Sequence, residues 1–422
     1  MMLDILVPII SIAAVALFVF GVPILVVIGL WSICISYLID LSLANVGVTL
    51  YEGLNFFGLL AMPLFILTGD MINAAGIARK LTNCAHACLG WLRGGFGMAT
   101  LGACGIFAAI SGSNAATAAT IGSIMYPKMI DDGYEPTFAA ATIASGGTVG
   151  IIIPPSIIFI TYGFLLNLPI NDLFTAGSVP GILMVLSMMA ACYILARKNG
   201  WGTLMPFSPK AAIKTTLQAY LGFLAILLII YGIYSGSFSP TESAAMCVGF
   251  CFFAGLGITR ELSLRKLPNV LFNSGKMVGM VAPLVAMSIV MQQCLSALGI
   301  EKWMASTIGN LGYTGVMLSC MVIIFIAGMF LESVPVVTIL APILAPIAHS
   351  VGVDPIHFGV IMLVGTAVGF ITPPFGLNLF VVSTVTGLPF TSIIRYIPPY
   401  LIALLVTWFA IVLFPSISLF ML

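Results

Sequence analysis

The sequence predicts an all-α polytopic membrane protein built from two inverted repeats. Each repeat carries a re-entrant helical hairpin and a helix broken by a Pro-Pro pair. Three observations predict it: a membrane-grade composition, a register in which the chain repeats itself, and matched polar and proline breaks inside apolar runs.

Composition comes first. Of 422 residues, 61% are hydrophobic and only 6% are charged, against roughly 25% charged in a soluble protein. Mean hydropathy is +1.21. Apolar runs near 20 residues recur from end to end, the length of bilayer-spanning helices, so the lipid bilayer is the first partner. The 14 basic and 13 acidic residues nearly cancel and are scattered. With no polybasic tract, nucleic acid is not an expected partner. The first run starts at Ile5 behind Asp4 without a positive n-region, so an uncleaved first helix is expected.

The repeat comes second. A shift of 219 positions over residues 114–155 carries Pro127 onto Pro346 and Gly133 onto Gly352 without a gap. It carries Glu135-Pro136 onto Asp354-Pro355, Gly146 onto Gly365, Gly150 onto Gly369, and Pro154-Pro155 onto Pro373-Pro374. Punctuating residues rarely coincide so often by chance, and an internal repeat in a membrane protein points to a transporter made of two halves.

The runs fit two units of one plan. The first unit holds segments near 5–20, 22–39, 58–75, 95–130, 134–166 and 171–197. The second holds 215–234, 241–258, 271–296, 315–350, 354–386 and 396–418. Ser111-Gly112-Ser113-Asn114 interrupts 95–130, and Phe330-Leu331-Glu332-Ser333 interrupts 315–350. Each arm is then about 16 residues, or roughly 24 Å, short of a ~30 Å hydrocarbon core. Both segments therefore read as hairpins that enter and leave on one side, which leaves five crossings per unit. An odd number inverts the second unit. Charge agrees: Arg79, Lys80, Arg93 and Lys128 surround the base of the first hairpin, and Lys302 alone that of the second. Positive-inside reasoning puts the first base in the cytoplasm and the second outside. Arg197, Lys198, Lys210 and Lys214, then Arg260, Arg265 and Lys266, then Arg395 also fall inside.

The breaks supply the chemistry. Proline lacks an N–H and frees the carbonyl four residues earlier. Pro154 and Pro155 are expected to free Gly150 and Ile151; Pro373 and Pro374 are expected to free Gly369 and Phe370. Such carbonyls must face protein or a polar cavity. A hairpin tip opposite a broken helix makes a cage of oxygens suited to a small hard cation, and half-helix N-termini suit an anionic substrate.

Other polar residues divide between roles. Glu332 at the second tip either supports a cation, carries a proton, or caps the following arm. Asp70 and Glu242 read as caps or ion-pair members, and Asp131-Asp132-Gly133 as a solvated turn. Lys276 and Asn273 lie near a helix start, where a lysine can snorkel. Cys84, His86 and Cys88 cannot converge on one helix face, so the nine cysteines read as buried thiols. No HExxH, GxSxG or Walker pattern suggests an enzyme.

AMPLFILTGDMI (61–72), ISGSNAATAATIGS (110–123), GGTVGIIIPPS (146–156), SPTESAA (239–245) and AVGFITPPFGLNLF (367–380) together resemble the large membrane subunit of TRAP transporters, the tripartite ATP-independent periplasmic family (DctM-type). The likeness covers essentially the whole chain. It implies a multi-pass protein of the bacterial cytoplasmic (inner) membrane, a Na+-coupled importer with an elevator mechanism. It implies a small four-helix membrane subunit and a soluble periplasmic substrate-binding protein as partners, with no organic cofactor and Na+ as the only metal. It implies scaffold parts at 1–85 and 198–299 and transport parts at 86–197 and 300–422. Carried over residue by residue, Ser111, Ser113, Asn114, Gly147, Gly150 and Pro154 border one Na+ site. Glu332, Ser333, Thr366, Gly369 and Thr372 border the other. Asn114, Pro155, Ser156, Pro374 and Asn378 lie in the substrate vicinity. The family often has a second Ser where Asn114 stands.

The implied substrates are organic acids, with sialic acid favoured over C4-dicarboxylates and other sugar acids. The alternative within the same fold group is a stand-alone Na+/divalent-anion symporter. A passive channel would not need matched hairpins, and an intramembrane enzyme would need a nucleophile–base pair or metal cluster.

Overall fold

Apolar runs punctuated by Pro, Gly and capping residues fold into helices throughout. The computed structural model describes residues 2–55, 57–203 and 206–422, and every regular element among them is helical. The first half contains α1 (Met2–Val19), α2 (Ile24–Leu38), α3 (Leu43–Leu54), α4 (Ala61–Ala74), α5 (Ile77–Leu89), α6 (Gly95–Ser111), α7 (Asn114–Asp131), α8 (Pro136–Gly147), α9 (Ile157–Leu166) and α10 (Ile170–Asn199). The second contains α11 (Pro209–Gln218), α12 (Tyr220–Tyr234), α13 (Pro240–Phe253), α14 (Leu267–Ala297), α15 (Ile300–Ile308), α16 (Gly312–Phe330), α17 (Ser333–Ser350), α18 (Pro355–Gly369), α19 (Leu377–Thr386), α20 (Phe390–Ile393), α21 (Ile397–Leu413) and α22 (Ser416–Leu419).

The boundaries follow the repeat. Asn114–Asp131 and Ser333–Ser350 are both 18 residues long and 219 positions apart. Pro136 and Pro355 both sit in the first turn of a helix behind an acidic cap. Glu135 accepts from the Phe138 N–H at 3.0 Å, and Asp354 accepts from the N–H of Ile356 at 2.8 Å and of His357 at 3.1 Å. Such caps satisfy donors that a helix start leaves open.

The arms are longer than expected: 17 and 18 residues in the first hairpin, 19 and 18 in the second. That is roughly 26–28 Å, so length does not by itself keep them from crossing. They gain residues because helix continues through Ser111 and tolerates Pro127, Pro342 and Pro346 in its interior. Among the described residues six helical stretches are long and apolar enough to span a bilayer, or eight if each bent pair is one span. Shorter apolar helices, including α1, α2, α9, α18 and α19, account for other expected crossings.

Four helices longer than one turn lie wholly or mostly outside the expected segments. α3, α5, α11 and α15 are amphipathic, so a search for apolar runs passes over them. α5 bends 72° from α4, and α11 bends 58° from α12. α5 buries Ala78, Leu81, Thr82 and Ala85 along one face. The expected part boundary at 85/86 therefore falls inside α5, whereas 300 coincides with the first residue of α15.

Contacts fix which ends lie together. Arg79 pairs with both carboxylate oxygens of Glu261 at 2.6–2.7 Å. Thr203 donates to Asp132 through its N–H at 3.3 Å and through its hydroxyl. Trp201 packs on Phe138 and Tyr396, with ring centroids 4.6 and 5.5 Å apart. The Arg-rich and Lys-rich loops thus share one face with the start of α8. At the other end, the Tyr162 hydroxyl donates to Pro355 O at 2.8 Å. The second broken helix begins where the first one finishes.

Several polar side chains settle differently from the sequence reading. Ser239 and Glu242 form a capping box at the start of α13, as expected. Among the described residues Asp70 is neither cap nor ion-pair member: it accepts from the Ser274 hydroxyl at 2.5 Å across α4 and α14. Lys276 lies 4.5 Å above the Phe272 ring. Cys34 and Cys88 are exposed rather than buried, Cys88 because α5 is only half covered. His86 stacks on Phe96 at 3.8 Å.

A tight backbone contact joins α16 to α18. A Cβ at Gly369 would lie 2.4 Å from the carbonyl carbon of Gly328. Gly369→Ala must push the helices apart and should destabilise by about 1–3 kcal/mol. Gly279→Ala, with nothing within 4 Å, should be neutral or stabilising because alanine is the better helix former. Thermal unfolding of the two variants in one detergent checks this.

Candidate functional site

At the first break α8 ends at Gly147, a short 3-10 turn follows over Thr148–Ile151, and α9 restarts behind Ser156. The Pro154-Pro155 and Pro373-Pro374 bonds are both cis. The carbonyls expected to be open are mostly engaged. Ile151 O accepts from the Ser156 hydroxyl at 2.6 Å. Gly369 O accepts from Thr372 N at 2.9 Å, and Phe370 O from Asn378 N at 3.2 Å. Residues just past each proline pair, or just before it, thus replace the lost helical N–H. A carbonyl oxygen has two lone pairs, so one such bond still leaves ligating capacity.

The first hairpin tip is built the same way. Gly112 takes a left-handed φ of 58°, which lets α6 stop and α7 start within two residues. Ser113 caps α7 by accepting from Ala116 N at 3.4 Å. Its carbonyl accepts from the Thr117 N–H at 3.1 Å and the Thr117 hydroxyl at 2.7 Å. Ser111 Oγ is 2.9 Å from the same threonine oxygen.

Tip and break touch through glycine. A Cβ at Gly150 would lie 2.4 Å from Ser113 O, and one at Gly147 3.2 Å from Asn114 O. Gly112 likewise sits close to Pro155, with 2.7 Å from its notional Cβ to Pro155 O. Ser111, Ser113, Asn114, Gly147 and Gly150 therefore gather at one place, beside the break that holds Pro154.

The second set divides. Glu332 occupies the capping position of α17 but its side chain makes no capping hydrogen bond, so the capping role does not hold. Glu332 and Ser333 instead line a cavity of about 40 Å³ together with Gly112, Ser113 and Asn114. Met62 and Ile66 of α4 and Met277 and Val281 of α14 close it. The two tips face each other across a space the size of one or two waters. Thr366 and Gly369 pack on Gly328, one turn ahead of the second tip, and Thr372 Oγ1 donates to Val368 O at 2.9 Å.

The expected substrate group also divides. Asn114 Nδ2 donates to Asn378 Oδ1 at 3.1 Å, and Asn378 Nδ2 donates to Ala144 O at 3.0 Å. This buried amide pair ties the first tip to the second broken helix. Ser156 is committed to Ile151 O, and Pro155 is buried, but Pro374 is exposed next to Phe375. Phe375 packs on Phe18 and Phe330 at 5.6 and 5.8 Å. Sequence reasoning missed Thr117 and Gly328. Thr117 was signalled by its position one turn after Ser113; Gly328 by Ala109, a small residue at the matching place in the first repeat.

The family described as "Tripartite ATP-independent periplasmic transporter, DctM component" matches residues 11–417. The chain belongs to this family. It is thus a large permease component of a TRAP transporter, an integral inner-membrane protein and not an enzyme. It is 39% identical to the C4-dicarboxylate TRAP transporter large permease protein DctM of Pseudomonas aeruginosa, over 90% of this chain and 89% of that one. It is 33% identical to the sialic acid TRAP transporter large permease protein SiaM of Vibrio cholerae, over 87% and 86%. It is 35% identical to the isethionate TRAP transporter permease protein DctMQ of Oleidesulfovibrio alaskensis, covering 95% of this chain and 64% of that one. The YdaH transporter of Alcanivorax borkumensis shares the fold, with a TM-score of 0.61 at 14% identity and 88% of each chain covered.

The amide pair generates a double-mutant test. Asn114→Ala and Asn378→Ala should each destabilise by about 1–3 kcal/mol, because each strands a buried partner. The double variant should cost less than the sum, by about 0.5–1.5 kcal/mol. Thermal unfolding of the four proteins measures the coupling.

Proposed function

We propose that this TRAP permease is the translocating subunit of a Na+-coupled importer of an organic acid. It works with a small membrane subunit and a periplasmic substrate-binding protein. The observation that carries the reading is the meeting of two hairpin tips, each beside its own interrupted helix, in halves whose broken helices start at opposite ends. Inverted repeats arranged this way place the site at mid-membrane. Crowded oxygens around Ser111, Ser113, Asn114, Gly147 and Gly150 suit a hard cation such as Na+, and Glu332 adds a carboxylate to the shared cavity. A second ion lies by Thr366, Gly369 and Thr372. The space between the tips is too small for an organic acid, so substrate entry requires the tips to move relative to α4 and α14. An elevator displacement of 86–197 with 300–422 against 1–85 with 198–299 accomplishes that.

Relatives named for C4-dicarboxylates, isethionate and sialic acid all lie within 33–39% identity. The 39% identity to the Pseudomonas aeruginosa C4-dicarboxylate relative exceeds the 33% to the sialic acid relative, so a C4-dicarboxylate replaces sialic acid as the first substrate to test. The extra length of the DctMQ relative supports a further membrane component beside this chain.

Proteoliposomes holding the chain and its small subunit provide the test. Labelled succinate uptake should require both an inward Na+ gradient and the binding protein. Each net charge moving down 100 mV contributes ~2.3 kcal/mol, so an inside-negative potential should stimulate uptake if more than two Na+ accompany the dianion. Uptake with Na+ alone would establish the stand-alone symporter instead. Uptake indifferent to Na+ would remove the coupling proposal.

A further inference from the structure

The amphipathic helices α5 and α11 lie side by side, and between them runs a groove of about 670 Å³ unrelated to the tips. Lys80 of α5 and Lys210 and Lys214 of α11 border it, with Ile213, Leu217 and Tyr220 supplying apolar wall. α11 buries none of its residues, and Ile213 and Leu217 are 62% and 68% exposed. Among the described residues no hydrogen bond or ion pair engages the three ammonium groups. Their neighbours are already paired: Arg79 with Glu261, and Lys128 with Asn83 Oδ1 at 2.8 Å. Three unneutralised cations therefore converge on one apolar trough.

Position adds to chemistry. α12 continues from α11 after a 58° bend, so if α12 crosses the bilayer, α11 lies at its surface. Exposed Tyr220 at the bend and Trp91 just past the end of α5 are the aromatic residues that favour the headgroup level. The same face carries the basic loops described above. A lysine-rich rim over an apolar wall at that depth matches a phosphate headgroup with its acyl chains.

We propose that the groove between α5 and α11 is a binding site for one anionic phospholipid of the leaflet on the basic face. The headgroup phosphate is held by Lys80, Lys210 and Lys214, and an acyl chain lies along Ile213, Leu217 and Tyr220. Because α5 follows the bend from α4 and leads into the first hairpin, the lipid fastens the base of that hairpin to α11.

Native mass spectrometry of the full-length chain in neutral detergent tests this, by titration with phosphatidylglycerol or phosphatidylcholine of equal chain length. The wild type should prefer phosphatidylglycerol by at least about tenfold at its first bound lipid. The triple variant Lys80→Gln/Lys210→Gln/Lys214→Gln should lose the preference, and Lys276→Gln should keep it. If the triple variant does not fold, Lys210→Gln and Lys214→Gln on exposed α11 should each weaken phosphatidylglycerol several-fold. Equal binding of both lipids by the wild type would overturn the proposal. So would an unchanged preference in the lysine variants, or displacement of the lipid by millimolar glycerol phosphate. Protection of Lys210 and Lys214 from amine acylation by the small subunit, in nanodiscs lacking anionic lipid, would make the groove a protein interface and also overturn it.

Discussion

Backbone polar groups at membrane depth must be satisfied by the protein itself, and the structure around the two Pro-Pro pairs depends on that constraint. Each pair removes helical N–H donors, and three of the four carbonyls so released, those of Ile151, Gly369 and Phe370, are met by a local side chain or a shifted backbone bond. Ser156 supplies a hydroxyl to Ile151 O; Thr372 and Asn378 supply backbone N–H groups to Gly369 O and Phe370 O. At the first hairpin tip Thr117 does the same for Ser113 O. Once these bonds exist, an irregular backbone can be buried without open carbonyls toward lipid. Glycines at 150 and 369 then let it approach another backbone closely.

This arrangement joins elements distant in sequence. The Asn114–Asn378 amide pair links the tip of the first hairpin to the second broken helix. The cavity bordered by Ser113 and Glu332 links one tip to the other. Contact between α9 and α18 through Tyr162 sets the two halves end against end. In the proposed mechanism these links let the two tips move as one body against α4 and α14.

Much of this was legible because punctuation survives in sequence. The proline pairs, the acidic caps before Pro136 and Pro355, and the polar tips could be aligned by a fixed shift, and the helices begin where that shift places them. Family membership was legible from the same motifs. Other features left no apolar signal. α5 buries one stripe and α11 and α15 bury none of their residues, so a search for continuous hydrophobic runs passes over them. The pairing of freed carbonyls was hidden because the compensating donors are ordinary residues, such as Ser156 and Thr372. The split of Glu332 from Thr366 and Gly369 was hidden for a related reason: a repeat aligns positions within halves and says nothing of which half each side chain faces. Asp70 misled because its partner, Ser274, lies 204 residues away.

In the proposed arrangement the two hairpins enter the membrane from opposite sides and meet tip to tip. Their bases can be labelled directly. Asp131 and Ser350 close α7 and α17 at matching positions and are both exposed. With Cys34 and Cys88 replaced by serine, Asp131→Cys and Ser350→Cys would be treated separately with a membrane-impermeant maleimide in spheroplasts. With the hairpins opposed, the Ser350→Cys protein is labelled in intact spheroplasts and the Asp131→Cys protein only after permeabilisation. Labelling of both from the same side would contradict it.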